Sequence, residues 1–438
     1  MVRFLSGRGG AGKSGRVFET MAQNAPHRRQ ILIVPEQYSH RAERRLCAAG
    51  GNLLSLNGEV LTFTRLASRV FSTQGGLASP VLSQGGRVLL MYLAVRQTRQ
   101  GLTVYRHPSK KSAFLSGLLE TLDECKSYAV TPRALAQAGG ELGGGVGDKL
   151  QELGLILEAY DALCDKLGAD PRDKLTRLAQ TLKDCDWGEG YDFYLDGFTD
   201  FTPQQGLVLS QLMERAHSVT FALTCDHLLE DEDGLGIFSP ARKTAAYLTT
   251  LARQAGQAVE TETLTATGGD KAPARDKSPA LQYLEQNLFA DHPQPWEGPA
   301  PVVCLKAQDP RQEVEWAAAE MLRLCREEGW RLRDMALTAR SFEGYEELAH
   351  SVFARFGIPL FLARTQDILE KPVLALITGA LETVQGGYRY EDMFRYLKTG
   401  LANLTDDERD RLENYALTWD IKGGKWTAKA PWKMHPEG

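Results

Sequence analysis

Apolar residues in this chain follow two kinds of pattern. Short, nearly unbroken runs at Val2–Leu5, Ile31–Val34, Phe193–Leu195 and Val219–Leu223 read as strands covered on both faces. Pro35 stops the second of them. Val60-Leu61-Thr62-Phe63-Thr64 reads as a further short strand, with Arg65–Phe71 helical behind it. A helical stretch reaching about Gln23 follows the first run, after the segment Gly7–Ser14. Apolar strands alternating with helices predict a parallel sheet flanked by helices, an α/β fold.

Between about Gln84 and Leu182 the spacing turns helical throughout, over Arg87–Arg99, Ser112–Tyr128 and Lys149–Leu167. The glycine cluster Gly139–Gly147 reads as a loop separating two of these helices. The stretch therefore reads as a helical insertion in the first α/β domain. Thr265–Pro279 reads as a surface loop and Asp291–Pro301 as a second breaker. Beyond them, strands at Val302–Leu305 and Met335–Thr338 and helices at Gln312–Glu327 and Tyr345–Phe356 predict a second α/β domain. Leu374–Val384 and Tyr390–Leu397 begin more helical material, and Pro431–Pro436 reads as polar and unstructured. The resulting division is 1–83 and 183–298 for the first domain, 84–182 for its insertion, 299–373 for the second domain and 374–438 for a second helical insertion. No repeat of fixed period is visible.

A length of 438 residues fits several domains, and 43% apolar with 24% charged residues is ordinary for a soluble protein. The N-terminal residues run straight into a glycine loop rather than a secretory leader, and no apolar run reaches ~20 residues, so a cytoplasmic protein is expected. A net charge of −5 argues against a wholly basic nucleic-acid-coating protein, though a local basic channel would not show in the sum. Cys47, Cys125, Cys164, Cys185, Cys225, Cys304 and Cys325 stand singly. With no C-x-x-C pair among them, neither a zinc site nor a disulfide framework is indicated.

The strongest local signal is Gly7-Arg8-Gly9-Gly10-Ala11-Gly12-Lys13-Ser14, which fits G-x-x-x-x-G-K-[ST] between a strand and a helix. In such a loop the glycines let successive N–H groups converge on phosphate oxygens. Lys13 would add a positive charge at the phosphates and the Ser14 hydroxyl would ligate Mg²⁺, so ATP with Mg²⁺ is the expected ligand. A second Mg²⁺ ligand belongs at a neighbouring strand tip, where Asp196 follows Tyr194-Leu195. Gly197 comes next, where a helicase-type ATPase would carry a glutamate to orient water, and Asp200 lies three residues on. The hydrolytic set is incomplete.

The order of segments resembles that of UvrD-like superfamily 1 helicases. It runs from the phosphate loop through Ile31–Gln37 and Leu61–Leu66 to Leu195-Asp196-Gly197-Phe198-Thr199-Asp200 and Phe201-Thr202-Pro203-Gln204-Gln205. More narrowly, Ile31-Leu32-Ile33-Val34-Pro35-Glu36-Gln37, Asp196-Gly197-Phe198, Leu397-Lys398-Thr399-Gly400-Leu401 and Leu412-Glu413-Asn414-Tyr415 are similar to the AddB family, the B subunits of bacterial AddAB helicase–exonucleases. The resemblance implies a degenerate helicase of the P-loop NTPase class, with two RecA-like domains and helical insertions. It also implies an AddA-like helicase/nuclease partner, binding to single-stranded DNA and duplex ends, and work in double-strand-break repair. A nuclease domain with an iron–sulfur cluster is implied only for the far C-terminal part of the longer family members. Thr224-Cys225-Asp226 stands where active relatives carry a glutamine-containing sensor, and Arg340 where they place a phosphate-sensing arginine.

By the same resemblance Phe63, Thr64, Arg65 and Arg69 correspond to a DNA-contacting motif, although Phe63 reads slightly better as core. Tyr38, Ser39 and His40 are weaker candidates, and Arg41, Arg44 and Arg45 make the following helix start basic. Arg106-His107-Pro108-Ser109-Lys110-Lys111 reads as a solvated loop. Two further functions are consistent with these residues, an active ATPase motor using Asp196 and Asp200, and an interaction module with a vestigial phosphate loop.

Overall fold

The computed structural model describes residues 1–77, 80–106, 112–228, 236–264, 278–290, 292–299, 302–362 and 371–435. Two compact units divide the chain, Met1–Cys304 and Leu305–Gly438. The first opens with β1 (Val2–Gly7), α1 (Lys13–Asn24), β2 (Gln30–Ile33), α2 (Ser39–Asn57), β3 (Gly58–Leu61) and α3 (Phe63–Gln74). It closes with β4 (Asp192–Leu195), α9 (Pro203–Arg215), β5 (Ser218–Thr224), α10 (Ser239–Gln254), β6 (Val259–Thr263) and α11 (Pro279–Asn287). Between them run α4 (Gln84–Thr98), α5 (Ser112–Ser127), α6 (Pro132–Leu142), α7 (Gly144–Leu167) and α8 (Lys174–Lys183).

The six strands form one sheet in the order β3-β2-β4-β5-β1-β6, and every pairing is parallel. Side chains alternate across it, as strand geometry requires. Phe4, Ile31, Ile33, Phe193, Leu195, Val219 and Phe221 join one buried cluster with α3, α8, α9 and α10. Leu5, Leu32, Tyr194 and Ala222 point the other way, onto Val17, Phe18 and Met21 of α1 and Leu46 of α2. Runs apolar at every position are therefore the ones this sheet buries on both sides. β6 escapes that rule. Its sequence Val-Glu-Thr-Glu-Thr alternates polar residues on an edge strand, so no apolar run announces it.

Two local expectations are corrected. The third strand ends at Leu61, because Thr62 is an extended N-cap whose side chain accepts the Arg65 N–H at 3.2 Å, so Phe63 and Thr64 form the first turn of α3. Gly139–Gly147 is not a loop. It runs through the end of α6 and the start of α7, broken at Gly143, whose φ is 62°. A Cβ on Gly139 would lie 2.7 Å from the Gly147 carbonyl oxygen, and one on Gly154 would lie 2.8 Å from that of Pro132. Glycine serves here to bring two helix backbones into contact. The core of this helical part joins α4, α5 and α7 through Leu90, Met91, Leu119, Ile156 and Tyr160. Beside it, buried Asp170 accepts a hydrogen bond from the Tyr160 hydroxyl at 2.8 Å and lies 3.2 Å from Arg87 Nε.

The second unit contains α12 (Pro310–Glu327), α13 (Glu346–Arg355), α14 (Pro372–Gln385), α15 (Tyr390–Leu397) and α16 (Asp406–Thr418). Val314, Ala318, Ala349, Val352 and Phe353 hold α12 to α13. The expected strands Val302–Leu305 and Met335–Thr338 are absent as strands, since neither has a ladder partner among the described residues. Val303, 72% exposed, shows how little covers the first of them. Pro431–His435 has no regular structure but is not idle, because Trp432 stacks on Tyr415 at 5.8 Å and meets Trp426 edge-on at 5.1 Å. Of the expected loop Thr265–Pro279, residues 265–277 lie outside the described residues, as does the run His107–Lys111, while Ser278 caps α11 and Pro279 opens it. Among those described, no helix is long and apolar enough to cross a membrane.

Candidate functional site

Since all six strands run the same way, the segments following them open on one edge of the sheet, where open α/β sheets bind ligands. That edge gathers Gly7–Gly12 after β1, Pro35–Tyr38 after β2, Thr62 after β3, Asp196–Thr202 after β4 and Cys225-Asp226 after β5.

The loop after β1 turns through Gly10 (φ 82°) and Gly12 (φ 90°), left-handed positions that favour glycine. Helix α1 starts at Lys13, so its unpaired N–H groups and positive dipole end face the loop. The Lys13 side chain is folded beneath the turn, with Nζ donating to the carbonyls of Gly7 at 2.5 Å and Arg8 at 2.9 Å. Between Gly7 and its neighbours there is little space, since a Cβ there would stand 3.0 Å from both Ala11 Cβ and the Leu264 oxygen.

Asp196 is half-buried at the tip of β4, its N–H donating to Ile33 O at 3.2 Å. One strand, β5, separates β4 from β1, which puts the two strand axes roughly 10 Å apart. Among the described residues neither the Asp196 carboxylate nor the Ser14 hydroxyl has a hydrogen-bond or ion-pair partner. Two unengaged hard oxygen donors on one edge suit a hydrated Mg²⁺. Gly197 has φ 85°, and a Cβ there would meet Pro35 Cδ at 3.4 Å and the Tyr38 ring at 3.5 Å. Asp200 is exposed and accepts a 3.4 Å hydrogen bond from Thr199.

Of the nucleic-acid candidates, Phe63 sits in the core. It is 6% exposed and packs edge-on against Phe198 at 5.7 Å and Phe201 at 6.4 Å, leaving no ring face for a base. Thr64 is exposed on the first turn of α3. Arg65 pairs with Glu43 at 2.5 Å and donates to Ser39 Oγ, while Arg69 lies 3.3 Å from Glu59, which Arg29 also approaches. The exposed aromatic on this edge is Tyr38, 45% exposed beside Gly197. His40, Arg41 and Arg44 are exposed along α2, and Arg45 lies over the Phe18 ring at 4.8 Å. Arg340 is exposed in the second unit.

Arg8, at an unspecified position of the loop motif, has several partners distant in sequence. Arg8 Nη2 lies 3.3 Å from Asp226, Nη1 donates to the Glu285 carbonyl at 3.3 Å, and the guanidinium sits 5.5 Å from the Phe238 ring centre. Asp226 also accepts from Arg242 Nη2 at 2.7 Å. Burial alone would raise the Asp226 carboxyl, but the Arg242 hydrogen bond and the His227 N–H outweigh it and hold the group below the usual range. Burial pushes the neighbouring Cys225 thiol up, so it is a poor nucleophile.

A parallel sheet with helices on both faces and a glycine loop at the edge where its strands end defines an α/β protein of the Rossmann or RecA-like kind. The family profile described as "ADDB, N-terminal" matches residues 4–285. A protein of Acetivibrio thermocellus, named as the B subunit of an ATP-dependent helicase/deoxyribonuclease, is 33% identical over 443 residues, covering 100% of this chain and 38% of that relative. Proteins of the same name from Desulforudis audaxviator and Clostridium botulinum are 36% and 30% identical, covering 98% and 99% of this chain. The chain belongs to the AddB family. It spans 38% of the length of these curated relatives.

Proposed function

We propose that this chain is the N-terminal, helicase-fold part of the B subunit of an ATP-dependent helicase/deoxyribonuclease that processes DNA double-strand breaks for recombinational repair. It binds ATP with Mg²⁺ and single-stranded DNA, hydrolyses little itself, and works with an AddA-like helicase/nuclease subunit that carries the motor. Met1–Cys304 supplies the first RecA-like domain with its helical insertion, and Leu305 onward begins a second. A nuclease domain with an iron–sulfur cluster belongs, on this reading, to the remaining length of such subunits.

The observation that carries the reading is the loop at Gly7–Ser14, with its two left-handed glycines, an ammonium beneath it and a helix start behind it. Phosphate oxygens are held there by loop N–H groups and Lys13, while Ser14 and Asp196 hold the metal. Bound Mg²⁺ neutralises charge on the phosphates. No glutamate follows Asp196 to take a proton from attacking water, which is why binding without appreciable turnover is the conclusion. The test is calorimetry of ATP binding to the purified chain. Lys13→Ala weakens affinity at least tenfold, about 1.4 kcal/mol; equal affinity in the two proteins would remove the phosphate role from this loop.

A further inference from the structure

Helix α11 lies against the phosphate loop although none of its residues is buried. Leu281 is 46% exposed, and Leu288 and Phe289 just beyond the helix are 60% and 70% exposed. An element with so little buried apolar surface is held weakly and opens at low free-energy cost. One tie to the loop is the Arg8 guanidinium, which donates to the Glu285 carbonyl at 3.3 Å while resting near Phe238 and Asp226. The same contact brings the Glu285 side chain to the loop, where a methyl on Gly9 would stand 4.0 Å from Oε1.

Two features give this contact a direction. A triphosphate entering the loop brings several negative charges close to the Glu285 carboxylate, and like charges in a partly desolvated site repel. The same anion is a stronger partner for Arg8 than a neutral carbonyl. Arg8 can also leave without stranding a charge, because Asp226 keeps its 2.7 Å bond from Arg242, which is itself 4% exposed. We propose that α11 is a nucleotide-sensitive flap, latched over the phosphate loop by Arg8 and released when a triphosphate draws Arg8 away. The proposal rests on the phosphate-loop reading above, and it makes the loop a sensor that reports occupancy through a helix 277 positions away in sequence.

Limited chymotryptic cleavage after Tyr283, on the whole chain with and without Mg²⁺-ATP, tests it. The wild type is cut at least fivefold faster with ATP. Arg8→Ala is cut at the fast rate without nucleotide, and Glu285→Gln binds ATP at least threefold tighter by calorimetry. ATP that binds the wild type without changing cleavage overturns the latch, as does slow cleavage of nucleotide-free Arg8→Ala. Lys13→Ala separates the two readings: undiminished ATP affinity there sinks the phosphate loop itself, whatever α11 does. If the wild type binds no ATP, the nucleotide trigger and the latch fall together, and if no variant binds, the phosphate-loop reading falls with them.

Discussion

At the edge where the strands end, two aromatic residues have opposite fates. Phe63 is held among Phe198, Phe201 and the strand residues beneath them, and Tyr38 projects beside Gly197. If single-stranded DNA crosses this edge, Tyr38→Ala should weaken its binding by roughly 1–3 kcal/mol with little change in melting temperature. Phe63→Ala should instead lower stability by about 3–5 kcal/mol through the cavity it leaves. Fluorescence-polarisation titration and thermal unfolding of both variants distinguish these outcomes; equal binding loss in two stably folded variants would show that Phe63 also reaches the DNA. Gly197 teaches a related lesson. In sequence it is a missing glutamate, whereas in the fold it is a left-handed turn, where any side chain costs roughly 1–2 kcal/mol and crowds Tyr38. A glutamate placed at this position would therefore strain the turn after β4.

Among elements, the seam between α6 and α7 is where local sequence misleads most. Nine positions containing six glycines resemble a flexible connection, yet Gly139 and Gly147 bring two backbones together and the break is confined to Gly143 and Gly144, both with positive φ. Alanine should therefore act oppositely at neighbouring sites. Gly147→Ala forces the helices apart and should cost about 1–3 kcal/mol, whereas Gly145→Ala, with nothing within 4 Å, should gain up to about 1 kcal/mol from helix propensity. Denaturant unfolding of the two variants checks the signs. The strands of the first unit were legible because burial on both faces demands apolar residues at every position. β6 was not, because an edge strand can carry glutamate and threonine and still pair. Val302–Leu305 and Met335–Thr338 carry strand-like sequence, but a strand is made by its neighbour, and neither has one among the described residues. The glycine turn at Gly7–Gly12 was legible for the reverse reason, that the whole motif lies within eight consecutive residues. Arg8's partners were hidden, lying 218 and 277 positions away at Asp226 and Glu285.

For the molecule as a whole, β6 forms one margin of the sheet and, among the described residues, no strand pairs with its outer side. Its glutamates are matched by arginines from inside, Arg3 to Glu260 at 3.3 Å and Arg16 to Glu262 at 3.1 Å. Exposed pairs of this kind add only about 0–1 kcal/mol to stability, so their value lies elsewhere. Replacing Glu260 and Glu262 together by valine should barely move the melting temperature, yet light scattering during refolding should rise several-fold; unchanged scattering would show the margin to be protected by other means. A bare strand rim is a template on which another chain can crystallise itself, residue by residue. On that reasoning Glu260 and Glu262 are expected to act against other chains rather than within this one, by making the rim a poor place for a second strand to settle.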